Sequence, residues 1–224
     1  MNCIGTKKIL EILKHGGTGV IPTDTIYGVV ASAMSKKAIG RAYKLLKRNP
    51  RKPFIVLISS IKDLDIFRVK IDAKTKKLLN QIWPGKISVI LPCPSPKFKY
   101  LHRGAKTLAF RVPKKASLVK LLKKTGPLVS TSVNPEGEKP AETIREAKKY
   151  FGDKIDPIRK AGISESKNVL PKNKSPRKSS ELKLSNGVDF YVSGGKMKSL
   201  PSTLGVIKNG RTRVLRKGAG KVAS

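Results

Sequence analysis

Acids, histidine, cysteine and aromatic residues are all scarce in this chain, and each shortage closes off a class of function. Against 49 lysines and arginines stand 14 acids, with two histidines, two cysteines and 5% aromatics in 224 residues. No close carboxylate cluster and no H-E-x-x-H motif suggests a metal cage. Cys3 and Cys93 lie in no C-x-x-C and near no histidine. A zinc site is therefore not expected, a disulfide framework is excluded by number, and the sparse usage points to a reducing cytoplasm. His15 closes a predicted helix, where a cation suits the C-terminal dipole, and neither His15 nor His102 accompanies a G-x-S-x-G serine signature. Few aromatics leave little for a base-stacking platform. No apolar run approaches the roughly 20 residues of a membrane span. The opening MNCIGTKKILEILKHGG lacks the apolar h-region of a signal peptide. It reads as an amphipathic helix on Ile4, Ile9, Leu10, Ile12 and Leu13, ended by Gly16-Gly17. The P-loop pattern fails too: in GAGKV, Val222 follows Lys221, and Leu215 stands where the first glycine belongs. G-x-G-x-x-G is absent.

What is present is charge and a mixed α/β pattern. The net charge is +35, a field that attracts polyanions such as RNA, nucleotides or anionic surfaces. Lysine drift in an AT-rich genome produces the same count, and the even spread of the cations fits that origin as well. Helical spacing is found over 35–48, with Ser35 as cap, and over 72–83, 116–126 and 141–152. Short apolar runs at 53–59, 86–92, 107–113, 127–134 and 187–195 read as strands, and 202–218 as a hairpin around Asn209-Gly210. Strands and helices mix without strict alternation. The fold class expected is therefore α/β, one domain, with a twisted mixed parallel and antiparallel sheet and flanking helices. The domain is expected to span 1–219, with a short tail at 220–224. It is interrupted by a basic insertion at 157–187 with six Ser, eight Lys or Arg and two acids, which reads as flexible and solvated.

The chemistry-bearing feature is recurrent. Three apolar runs end in hydroxyls: Pro22-Thr23-Asp24-Thr25, Ser130-Thr131-Ser132-Val133-Asn134 and Pro201-Ser202-Thr203. Arginine sits near two strand ends, Arg111 in FRVP and Arg216 in VLRKG, and a basic turn, LLKRNPRKP, joins a helix to a strand. Each hydroxyl alone reads equally as a cap or turn. Together, hydroxyls, backbone amides and fixed guanidiniums can hold a phosphate or carboxylate without a P-loop.

The ordered motifs PTDTIYGVV, LLKRNPRKPFIVLIS, WPGKISVILP, TLAFRVP, PLVSTSVNPEG and PSTLGVIKNGRTRVLRKGA resemble the YrdC-like family of threonylcarbamoyl-AMP synthases, from about Ile9 to Ala219. The resemblance implies that L-threonine, bicarbonate and ATP yield threonylcarbamoyl-adenylate and pyrophosphate, for threonylcarbamoyladenosine in tRNA. It implies Mg²⁺ carried on the phosphates, tRNA or tRNA-modification proteins as partners, and no side-chain nucleophile. Residue by residue, it places Thr23, Arg111, Thr131 and Ser202 around threonine. Arg48 and Lys52 face the phosphates, Thr107, Ser132, Val133 (through its backbone) and Asn134 line the nucleotide, and Arg216 lies against it.

The chain also departs from the pattern. A gapless register puts Leu46 where the family has the lysine of Lys-x-Arg, so Lys47, one residue late, is the expected phosphate-binding substitute. Ser-Ala-Asn becomes Ser132-Val133-Asn134. Leu57 stands where longer relatives carry histidine, and the chain ends at Ser224, which implies the short, single-domain type. A non-catalytic RNA-binding module, or a related protein forming a different carbamoyl-adenylate, stays open beside the synthase.

Overall fold

A single twisted sheet organises the molecule. The computed structural model describes residues 5–152, 184, 187–208 and 211–221. Strands β1 (Thr18–Pro22), β2 (Tyr27–Ser32), β3 (Ile55–Leu57), β4 (Ile87–Pro92), β5 (Thr107–Arg111), β6 (Leu128–Ser132), β7 (Phe190–Tyr191), β8 (Thr203–Lys208) and β9 (Arg211–Arg216) lie in the order β7-β1-β2-β6-β3-β5-β4-β8-β9. Pairs β7–β1, β3–β5 and β4–β8 are parallel and the other five antiparallel, so the sheet is mixed as expected.

The helices form where spacing and caps agree. They are α1 (Thr6–Lys14), α2 (Lys36–Leu45), α3 (Ala73–Ile82), α4 (Lys99–His102), α5 (Ala116–Thr125) and α6 (Ile144–Phe151). Ser35 accepts from the Ala38 N–H, Asp72 from Thr75 and Thr143 from Glu146, each satisfying one of the amides a helix start leaves unpaired. Helix α2 ends in a Schellman turn: Arg48 N–H donates to Tyr43 O at 3.1 Å and Lys47 N–H to Lys44 O at 3.2 Å. Lys47 therefore takes the left-handed position (φ 46°) that glycine usually fills.

Directly paired residues share a sheet face, and alternate residues along a strand share it too. Val29, Val56, Val89, Phe110 and Val129 fall on one face and join the main core. Burying each such side chain contributes about 1.5–3 kcal/mol. The opposite face carries Ile21, Val30, Leu57 and Leu128, which pack with Ile9, Ile12 and Leu13 of α1 and Leu118 and Leu122 of α5. A partly buried ion pair ties α2 to the β7 edge of the sheet: Arg41 donates to both carboxylate oxygens of Asp189, at 2.8 and 3.2 Å, and Asp189 also accepts from Thr18 N–H at 2.7 Å. Farther along that face the residues become small: Gly28, Ala109, Ser130 and Ser132, and a concavity opens over them.

Sequence and structure differ at two places. The stretch after Pro22 leads into a hairpin with β2, a strand absent from the expected runs, because Thr23-Asp24-Thr25-Ile26 closes a tight turn with Thr23 N–H donating to Ile26 O at 3.3 Å. The strand expected at 187–195 is only Phe190–Tyr191. Most of the expected insertion at 157–187, the Asn209-Gly210 turn and residues 222–224 lie outside the described residues.

Candidate functional site

The open part of the sheet face forms a cavity of about 370 Å³, within the size range of small-ligand sites. Its floor is the row of small residues already named. Gly28 keeps the floor open: a Cβ there would stand 2.6 Å from Ser130 Oγ and 3.2 Å from Thr23 Cγ2, so both side chains would have to shift. The walls are the β1–β2 turn, the 48–55 segment, the end of β5 and the start of β8.

The turn is built by threonines. Thr25 N–H donates to Thr23 Oγ1 at 3.1 Å, and Thr23 Oγ1–H donates to Ile26 O at 2.6 Å. Thr23 is thus both a turn residue and a wall of the cavity. Asp24, between the two threonines, forms a buried ion pair with Arg111 and accepts from Lys114 N–H at 2.9 Å. Arg111 Nη1 lies 3.5 Å from Thr25 Oγ1, and its buried Nε has no partner among the described residues. Sequence reasoning singled out Asp24 without giving it this role; the only signal was an acid flanked by two threonines in a strongly basic chain.

Arg48 bends back from the end of α2 because its guanidinium donates to Lys52 O at 3.1 Å and Pro53 O at 3.3 Å and lies 5.2 Å from the Phe54 ring. Arg216 donates to Ser202 O at 2.9 Å, and Ser202 Oγ lies 2.9 Å from Ser88 Oγ. Burial pushes all three guanidiniums down from the ordinary arginine range. Asp24 opposes that at Arg111; at Arg48, Tyr43 and Glu136 oppose it and Arg216 adds to it. Arginine stays protonated throughout, so three fixed cations converge on one cavity whose lining contains no Asp or Glu.

Of the residues singled out from the sequence, the cavity brings together Thr23, Arg48, Thr107, Arg111, Thr131, Ser132, Ser202 and Arg216. Four do not line it. Lys47 is exposed on the left-handed turn, and Leu46 is buried in the core, so no helix shift carries Lys47 to the wall. Lys52 pairs with Glu136 on the rim. Val133 is packed in the main core and its carbonyl accepts from Ala141 N–H at 3.0 Å. Asn134 Nδ2 donates to Pro135 O at 2.9 Å and Glu138 O at 2.8 Å, ordering the turn beside the cavity.

Comparison with known proteins gives the same fold and a family match. The Sua5/YciO/YrdC family model, described as "Telomere recombination", matches residues 11–169. The chain is 32% identical over 164 residues to a threonylcarbamoyl-AMP synthase of Nitrosococcus oceani, covering 69% of this chain and 88% of that one. It is 30% identical over 149 residues to that of Halorhodospira halophila, covering 65% and 77%. The crystal structure of P. abyssi Sua5 complexed with L-threonine superposes with a TM-score of 0.73 at 21% identity. That match covers 97% of this chain and 56% of Sua5, and at this identity it speaks to the fold. From the sheet, the ordered motifs and these matches, the chain belongs to the Sua5/YciO/YrdC family.

Proposed function

We propose that the cavity makes threonylcarbamoyl-adenylate from L-threonine, bicarbonate and ATP, in the cytoplasm, for modification of tRNA. The observation that carries this reading is the convergence of Arg48, Arg111 and Arg216 with strand-end hydroxyls in one cavity free of carboxylates. Such a site suits two anions that must approach each other.

The threonine carboxylate takes the Arg111 end, where a guanidinium fork matches it. Thr23, Thr131 and Ser202 supply hydroxyl partners. The threonine nitrogen bonds to the carbon of bicarbonate with loss of water, giving a carbamate. A carbamate oxygen then bonds to the α-phosphorus as the bond to the bridging oxygen breaks, and pyrophosphate leaves with that electron pair. Arg48 and Arg216 face the phosphates, with Thr107 and Ser132 against the nucleotide. Burial disfavours the charged form of both guanidiniums, so phosphate oxygens that pair with them offset a cost already built into the walls. No side-chain nucleophile is needed; catalysis rests on position and charge.

The cavity lining does not fit a resident Mg²⁺, since it offers no carboxylate, and no cluster of three metal-ligating side chains occurs among the described residues. A magnesium ion that arrives on the ATP phosphates belongs to the substrate.

The test is pyrophosphate release. It is expected to require threonine, bicarbonate and ATP together. Release with carbamoyl phosphate and none with threonine would instead indicate a different carbamoyl-adenylate, and release under neither condition a non-catalytic module.

A further inference from the structure

A second concavity of about 590 Å³, more open to solvent than the first, lies on the other side of the 48–53 loop. Lys36, Arg51, Lys97, Lys99 and Arg103 line it together with Tyr100, and no acid does. Among the described residues none of the five cations is paired with a carboxylate. Five exposed like charges around one recess make a local positive field, screened by salt, that attracts an outside polyanion.

The recess is also held in shape. Arg103 donates to Pro50 O at 2.8 Å, and its guanidinium lies 4.8 Å from the Tyr43 ring. Tyr100 donates its hydroxyl to Ala33 O at 2.8 Å, which fixes the ring at the groove, with Lys36 Nζ 5.8 Å from its centroid. Arg103 is thus a tethered cation beside an anchored ring, and the exposed Lys36, Arg51, Lys97 and Lys99 surround them; cations beside such a ring can bind a phosphate chain and support a neighbouring base. A membrane-binding surface would present protruding apolar side chains beside its cations, and apart from Tyr100 the recess is lined only by prolines and cations.

We propose that this groove is an RNA-binding surface separate from the adenylate cavity. The two concavities share a wall: Arg48 and Pro53 line the first, Pro50 and Arg51 the second. RNA phosphates seated in the groove lie at the rim of the cavity. The groove follows from its own lining and does not depend on the adenylate reading.

The test compares two triple variants of the full chain for binding of bulk tRNA across a salt series. Arg51→Ala/Lys97→Ala/Lys99→Ala removes three groove cations. Lys74→Ala/Lys76→Ala/Lys77→Ala removes three exposed lysines of α3 that line neither concavity, so net charge changes equally. The groove triple is expected to lower the slope of log K against log salt by about 2 to 3, at roughly 0.7–0.9 per lost phosphate contact. It should also weaken binding at least about tenfold at physiological salt, with the α3 triple within about twofold of the parent. Equal losses in both triples overturn the proposal in favour of diffuse charge. Loss of binding to phosphatidylglycerol vesicles with tRNA binding intact overturns it in favour of a lipid surface. Threonine-dependent pyrophosphate release, measured on the same samples, separates the two readings. If the parent shows none while the tRNA result holds, the groove stands and the adenylate reading falls.

Discussion

Arg111, which lines the hydroxyl-rich cavity, is joined to Asp24 behind it in a buried ion pair, their side chains 4% and 7% exposed. One partner ends β5 and the other sits in the β1–β2 turn, so the pair ties two separate motifs of the sequence into one wall. It also leaves part of the guanidinium in use by the protein itself. On the proposed reading, a threonine carboxylate at Arg111 would share or displace Asp24, and the outcome would depend on the fork geometry that only arginine has.

Arg111→Lys is therefore expected to impair threonine use while leaving ATP binding near normal. Lysine keeps the charge and can still pair with Asp24, so the fold should hold. The lost fork is on the order of 1.5–3 kcal/mol, a rise in the threonine KM of roughly tenfold to more than a hundredfold. Steady-state kinetics with each substrate varied in turn check this. A threonine KM within about twofold of the parent would remove Arg111 from the threonine subsite.

Gly28→Val should fill the floor of the cavity. A single Cβ already meets Ser130 Oγ at 2.6 Å, which a serine can relieve by rotating, but the branched methyls of valine reach toward Thr23 as well. Small-to-large changes of this kind cost about 1–3 kcal/mol in a well-packed site. Threonine binding, measured calorimetrically, should be lost with a Tm drop of only a few degrees. Full threonine affinity in a folded Gly28→Val protein would show that the amino acid binds elsewhere.

Arg48 and Lys47 are adjacent in sequence and opposite in position. Arg48→Ala should raise the ATP KM about tenfold or more, the scale of a lost charge-assisted hydrogen bond. Lys47→Ala should change it less than about twofold, as the exposed turn position gives lysine only screened, long-range influence. Similar effects from both would mean that the basic turn acts by general charge.

Cys93 provides a probe of the core, being buried, with its thiol pushed up to about 11 by burial. The folded protein holds the proton more tightly than the unfolded chain, whose cysteine titrates near 9. This contribution to stability is therefore fully present below pH 9 and is lost as pH rises from there toward 11. In a Cys3→Ser background, the thiol should resist disulfide reagents at pH 8 until the fold opens. Rapid labelling under native conditions would contradict its place in the core.

The sequence shows most of the elements and much of the cavity lining, for identifiable reasons. Helices α2, α5 and α6 carry apolar spacing, and Ser35 marks its cap directly. The hydroxyl-rich strand ends stand out because a basic chain has little other reason to place Ser130, Thr131 and Ser132 in a row. The hairpin at Pro22 was not legible, because Thr23 closes it through side-chain bonds that a turn rule based on glycine or asparagine does not detect. The register β7-β1-β2-β6-β3-β5-β4-β8-β9 depends on long-range pairing and has no local signal. Nor did motif order show that Lys52 would be taken by Glu136, or that Val133 would turn into the core. Alternation along the strand carries Val133 to the face opposite Ser132, into the main core.

The central claim is that one cavity joins the carbon of bicarbonate and the nitrogen of threonine to the α-phosphate of ATP. Its most direct test traces labels from bicarbonate, threonine and the ATP α-phosphate into a single product. The account predicts one species that carries all three in equal amounts and forms in step with pyrophosphate. An AMP-linked product without the bicarbonate label, or pyrophosphate released at the same rate without threonine, would contradict it.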